Sequence, residues 1–302
     1  MEQIGNILKS IKDKHSTIDQ EARRIKDKPL TNKTDPNYWC LIGLGDALVK
    51  IRLMIEQNFN YIETMGILAT TRYIFELSIW LKLFKLSPYY GFLYYSELVN
   101  IQKNHFILNK KQILNEIYLL EDLDNYEKDL IEREFNRINL INDEKEKKEN
   151  SLNFRNTIFK NVDDKAARHF SIYAEQAKTN GYSFQAYLIK NEVLPEIQKN
   201  IDILEKDVNL LKEIILILEK EMPKLLDKNK SKLKCINWKD KADLVNMRNE
   251  YEYIYALTSS LLHATPSSLT TNMKNLDLSE VLIFLKFIYV TIQDIIDFSK
   301  TY

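Results

Sequence analysis

The sequence predicts an all-α fold, a helical bundle with a long antiparallel coiled-coil-like helical arm. Three observations predict it. The 302 residues include only 6 Gly and 6 Pro, too few for the turns that many short strands require. Apolar residues recur at three- and four-residue intervals along most of the chain, the period of a helix with one face in a core. One such seam is unusually regular: Ile197, Ile201, Leu204, Val208, Leu211, Ile215, Leu218 and Met222 keep alternating four/three spacing, as the contact face of a coiled coil does. A hydrophobic content of 45% suffices for one large core or two smaller ones.

The elements follow in chain order. An amphipathic helix runs from about Gly5 to Arg24, and KDKPLTNKTDPN then forms a loop that ends in a helix start at Asp35 and Pro36, since proline suits a first helical turn. That helix passes through Ile51 and Met54 to about Asn58. Asn60 and Glu63 have capping-box spacing and open the next helix, to about Phe84. Pro88 restarts the chain into YYGFLYYSELVNIQKNHF, whose aromatic cluster Tyr89, Tyr90, Phe92, Tyr94 and Tyr95 is expected to pack against the bundle. Leu108 to Asn150 is long and charged, with Ile117, Leu120, Ile131, Ile138 and Ile141 on one seam, and DEKEKKEN reads as a solvated charge run or loop. Arg155–Leu188 is irregular, with Gly181 as a break. Pro195 sits in the first turn of the heptad helix, which is expected to pair antiparallel with part of Leu108–Ile141 as an internal hairpin; a dimerisation arm is the functional alternative. Pro223 weakens or ends it. A helix from about Ala242 to Ala264 stops at Pro266. Asp277 and Glu280 cap the last one, DLSEVLIFLKFIYVTIQDIIDF. The expected division is an N-terminal helix and linker over 1–34, a bundle core over 35–107 and 235–302, and a helical insertion or arm over 108–234.

Composition narrows the function. Lys+Arg and Asp+Glu both total 43, so the basic excess of a non-specific nucleic-acid binder is missing and an RNA site would have to be local. Cys40 and Cys235 match no metal or redox spacing and read as free thiols of a reducing compartment. The first residues lack the apolar core of a signal peptide, and the apolar stretches around Ile74–Phe84 and Val281–Val290 are interrupted by charge and too short to cross a bilayer. A cytoplasmic protein with no membrane partner is expected. There is no Gly-rich phosphate loop, H-E-x-x-H pair, G-x-S-x-G elbow or Cys/His ligand spacing, so no cofactor and no metal are expected.

Two helices carry polar residues where the core should be apolar. In YIETMGILATTRYIFELSIWLKLF, the seam Ile62, Met65, Ala69, Arg72, Glu76, Ile79, Leu83 puts two charges one turn apart at its centre. On a surface such a pair contributes a few tenths of a kcal/mol, roughly; in a core it must be paired and hydrogen-bonded to be tolerated. In NEYEYIYALTSSLLHATP, the seam Leu244, Met247, Tyr251, Ile254, Thr258, Leu261 is flanked by a polar stripe of Tyr255, Ser259 and His263 at four-residue steps. If the two helices face each other, they enclose an Arg/Glu/Ser/His/Tyr site; a register-fixing ion pair and a helix-end histidine are the bland reading. A local basic cluster of Arg155, Lys160, Lys165, Arg168 and His169 could meet phosphates, although Asp163 and Asp164 dilute it and a solvated face is the plainer reading.

The combination of R-x-x-x-E in ATTRYIFELSIW, N-W-x-x-K-A at Trp238 and Y-x-x-x-S-x-x-x-H-x-x-P in IYALTSSLLHATP resembles a family of bacterial helical proteins placed near the HEPN (higher eukaryotes and prokaryotes nucleotide-binding) superfamily. The resemblance covers roughly Ile51–Phe106 and Cys235–Phe298. It implies a helical bundle, a homodimer, and a metal-independent RNase in a toxin or antiviral defence setting, with RNA as a partner and a second, neutralising protein as another. Active members place Arg and His close together on one helix. Here the nearest arginine on the His263 helix is Arg248, fifteen residues away, so Arg72 would supply the guanidinium from another helix. In that scheme Arg72 holds the phosphate, Glu76 orients it, Tyr255 and Ser259 donate hydrogen bonds, and His263 moves the proton of an RNA 2′-hydroxyl or leaving oxygen. The alternatives are a non-catalytic nucleotide-, RNA- or protein-binding module and an assembly protein that works through its arm.

Overall fold

A computed structural model of the protein describes residues 2–29, 32–58, 64–206, 208–262 and 276–302. The chain is all-α: among the described residues the helices are accompanied only by one isolated bridge, Leu226 with Leu233. It divides into two compact units, Met1–Leu98 with Asn209–Tyr302, and Val99–Val208. The second unit starts earlier than the expected insertion 108–234, at Val99, and ends well before it, at Val208.

The first unit begins with α1 (Glu2–Asp13) and α2 (His15–Lys26), two helices where one was expected, separated by a turn at Lys14. The apolar pattern continues across the turn, which is why it read as one helix: Ile4, Ile11, Ile18, Ala22 and Ile25 are all buried. Next, α3 (Pro36–Asn58) starts as expected, with the Asp35 carboxylate accepting from the Asn37 amide at 2.9 Å. The capping pair expected at Asn60 and Glu63 lies outside the described residues, and α4 (Thr64–Leu86) follows. Ser87–Tyr89 turn the chain into α5 (Tyr90–Asn139), where Tyr90, Phe92 and Tyr95 are buried. The close approach there needs Gly91, because a Cβ on it would collide with the Pro36 carbonyl oxygen.

DEKEKKEN, expected as a solvated charge run or loop, is largely exposed but helical, forming the start of α6 (Glu144–Ala166). Asp143 caps it by accepting from the Lys145 and Glu146 amides, and Glu144 and Glu146 favour the helix N-terminus. The stretch that looked irregular contains α7 (Ala174–Asn180) and α8 (Tyr182–Leu188), divided as expected at Gly181, whose φ of 88° favours glycine. Pro195 does sit in a first turn, that of α9 (Leu194–Lys206), but no break in the helix precedes it. The chain stays helical from α8 through a π turn at Ile189–Val193 into α9. Proline has no amide to give and clashes with the carbonyl four residues back, and a wider turn just before it relieves both conflicts.

The second unit has its own core, in which Ile113, Ile117, Leu120 and Leu123 of α5 meet Ile158 and Val162 of α6 and Ile197 and Ile201 of α9. Glu116, 1% exposed, is fully engaged there, accepting from Ser171 Oγ at 2.6 Å and the Ile172 amide at 3.0 Å.

The heptad seam divides between the units. Ile197 and Ile201 belong to the second, whereas α10 (Val208–Glu221) buries Ile214 and Leu218 and leads to Met222 in the first. The helix expected over Ala242–Ala264 is also two pieces. Asn237 caps α11 (Trp238–Leu244), Asn246 takes a φ of 57°, and α12 (Arg248–Leu262) follows; Pro266 lies outside the described residues. The last helix, α13 (Leu278–Ser299), has the expected capping box: Asp277 accepts from the Ser279 and Glu280 amides and Glu280 accepts from the Asp277 amide. No helix is long and apolar enough to cross a membrane among the described residues.

Candidate functional site

In α4 the buried face differs from the expected seam. Ile67, Leu68, Thr71, Ile74, Phe75, Ser78 and Ile79 are buried, while Met65 is exposed and Arg72 and Glu76 lie at the margin, with side chains 27% and 21% exposed. The helix is apolar almost all round because α3, α11, α12 and α13 each contact it, so periodicity alone did not select the inner face.

The two polar helices do meet. The Arg72 guanidinium lies 4.6 Å from the centre of the Tyr255 ring, and Arg72 Nε donates to Glu76 Oε1 at 3.0 Å. Tyr255 stacks on Tyr251 at 5.1 Å, and Tyr251 stacks in turn on Phe75 at 6.5 Å, which ties the surface cluster to the core. Burial raises the Tyr251 hydroxyl above its ordinary range, so it remains a neutral phenol at pH 7. The guanidinium is therefore fixed on one edge by a carboxylate and on one face by an aromatic ring. Its two terminal nitrogens have no hydrogen-bond partner among the described residues. This is a suitable disposition for a phosphate or carboxylate oxyanion.

The expected inner seam is found at Met247, just before α12, and on α12 at Ile254 and Thr258, whose hydroxyl donates to the Ile254 carbonyl at 2.7 Å. Leu244 falls on α11 and is 39% exposed. Ser259 is half-buried, one turn beyond Tyr255. His263 lies outside the described residues. The structure thus brings together Arg72, Glu76 and Tyr255 of the expected site.

The expected RNA-contacting cluster belongs to the second unit. Lys160, Arg168 and His169 are exposed on α6 and the turn after it, and the Arg155 side chain lies outside the described residues. Lys165 is not free for a phosphate: its ammonium binds Asp122 at 2.8 Å and sits over the Tyr126 ring at 4.4 Å.

Next to Glu76 is a feature that the sequence reading left without a role. Lys241 of α11 is 2% exposed, and its ammonium binds Glu97 Oε2 at 2.6 Å. The same nitrogen lies 4.2 Å from the Trp80 ring and 4.6 Å from the Trp238 ring. Glu97 Oε1 is buried without a hydrogen bond among the described residues, and burial holds this carboxyl above the usual range despite the lysine. Trp238 and Lys241 are both within the N-W-x-x-K-A motif, so a signal was present; the pairing with Trp80 and Glu97 depends on the fold. Beyond these rings is a cavity of about 230 Å³ lined by Asp46, Tyr73, Glu76, Trp80, Tyr94 and Trp238. The only hint of Asp46 in the sequence is a lone carboxylate in the apolar run LIGLGDALV of α3.

A family of unknown function, DUF5677, matches residues 158–280, less than half of the chain. The matched stretch contains Trp238, Lys241, Tyr255 and Ser259. No curated protein matches, and no solved structure does.

Proposed function

We propose that the chain is a HEPN-like RNA-handling protein, a metal-independent ribonuclease in which Arg72 holds a phosphate of single-stranded RNA. The observation that supports this most is the guanidinium itself, oriented by Glu76 and Tyr255, with no hydrogen-bond partner for its terminal nitrogens among the described residues. A half-buried i,i+4 pair at the margin of a helix contributes on the order of 0.5 kcal/mol to stability and the cation–π contact roughly as much again, so stability is a weak reason to build it. A phosphate gains a bidentate, charge-assisted partner there, and the Tyr251–Tyr255 stack offers a surface for a base. His263 would move the proton of the attacking 2′-hydroxyl or the leaving oxygen, and Ser259 would add a hydrogen bond.

The same proposal includes a bundle core with an antiparallel coiled-coil-like arm built on α5 and α9. Lys110 pairs with Gln198 at 2.6 Å and Lys103 with Glu205 at 2.9 Å, so the partners run in opposite order along the two helices. A homodimer, a neutralising partner, a cytoplasmic site of action and a role in defence against phage belong to the proposal through the family resemblance. A non-catalytic RNA-binding module is the second reading, and one observation favours it. Arg248, on the helix that leads to His263, is committed to Asp243 at 3.2 Å and Glu252 at 3.3 Å. Incubation of labelled RNA in EDTA with wild type, Arg72→Ala and His263→Ala separates the two. Cleavage lost in both variants supports the ribonuclease; RNA bound through Arg72 but never cut supports the module; RNA neither bound nor cut rejects both.

A further inference from the structure

We propose that the cavity bounded by α3, α4, α11 and the start of α5 binds a small organic cation, an ammonium or methylated ammonium group, seated against its aromatic walls with Asp46 as the counter-charge.

The walls have the right chemistry. Trp80, Trp238, Tyr73 and Tyr94 line the space, and electron-rich ring faces attract cations, most strongly where water is excluded. The two tryptophans already hold one ammonium, that of Lys241. Gly43 lets the walls close: a Cβ there would come within 3.0 Å of Phe84 and 3.3 Å of Tyr94, so these rings pack directly on the α3 backbone. At about 230 Å³ the space is smaller than the ~300–1,000 Å³ of drug-sized pockets and suits a ligand of few heavy atoms.

Charge selects the ligand's sign. Around the cavity Arg72 balances Glu76, and Glu97 balances Lys241. Asp46 is left over. It has no ion-pair partner among the described residues, and no Lys or Arg lines the cavity. Desolvation raises its carboxyl above the usual range; Tyr73 and Tyr94 are raised first by their own burial and further by the Asp46 charge. A bound ammonium would supply the missing charge.

The inference goes beyond the RNA reading and is tested without RNA. Full-length protein is titrated with tetramethylammonium chloride at constant ionic strength, with binding read from saturation transfer to the ligand methyl signal, and with tert-butanol as the neutral comparison. The expected result is saturable binding of tetramethylammonium, weaker or absent binding of tert-butanol, and about a tenfold loss of affinity in Asp46→Asn, equivalent to ~1.4 kcal/mol. Thermal unfolding of Asp46→Asn confirms that this exposed position leaves the fold intact. Equal binding of the alcohol, unchanged affinity in Asp46→Asn, or no saturable signal from wild type would each overturn the proposal.

Discussion

A guanidinium held by a carboxylate on one edge and a phenol ring on one face has few ways to move. Arg72 is such a group, and what it lacks is a partner for its terminal nitrogens among the described residues. Its residue type and its glutamate were legible in the sequence, as was the tyrosine that covers it. The degree of burial was not, because α4 is apolar on nearly every side and the charged pair could have been placed at its centre or its margin. Lys241 shows the converse. The N-W-x-x-K-A motif marks its position but not its almost complete burial, since Trp80 and Glu97 reach it only through the fold. Asp46 yields a pH prediction. Its folded carboxyl lies above the ordinary range because of desolvation, so its contribution to stability is full below that range and is lost as pH rises through the raised value. Asp46→Asn should therefore melt at a higher temperature than wild type at pH 7, with the difference vanishing in acid. Identical melting curves at both pH values would show that Asp46 carries no such penalty.

Some helix starts were legible from a capping side chain or an opening proline, although the caps at Asp143 and Asn237 were not. Asp35–Pro36 and Asp277–Glu280 are local signals, and local chemistry is enough to set them. Interruptions without a change of periodicity were hidden. The turn at Lys14 and the left-handed Asn246 each divide a run whose apolar spacing continues on both sides. The π turn before Pro195 shows how a chain can pass a proline without ending its helix. At the start of α5 the constraint is steric. Gly91→Ala would drive a methyl group into the Pro36 carbonyl and against Cys40, so α3 and α5 would have to separate. A loss of about 2 kcal/mol or more in urea unfolding is expected; a variant as stable as wild type would mean that the junction is loose.

The second unit closes its own hydrophobic core around Leu120 and Leu123, and the first closes another around α3, α4 and α13. The sequence placed a distinct segment in the middle of the chain but extended it to residue 234, because the heptad spacing does not reveal that α10 leaves the core that α9 serves. Leu120→Ala should remove about 2–5 kcal/mol of packing from the second unit. Hydrogen exchange should then accelerate in the helices of 99–208 and change much less in α3, α4 and α13. Equal acceleration throughout would mean that the chain unfolds as one cooperative body.

For the protein as a whole, the decisive measurement is RNA binding and cleavage in EDTA by wild type, Arg72→Ala and Arg72→Lys. If Arg72 is the phosphate contact, alanine abolishes binding and any cleavage, lysine restores binding in part but not the bidentate geometry, and both variants keep the wild-type fold. RNA binding that is unchanged in folded Arg72→Ala would contradict the role assigned to this side chain.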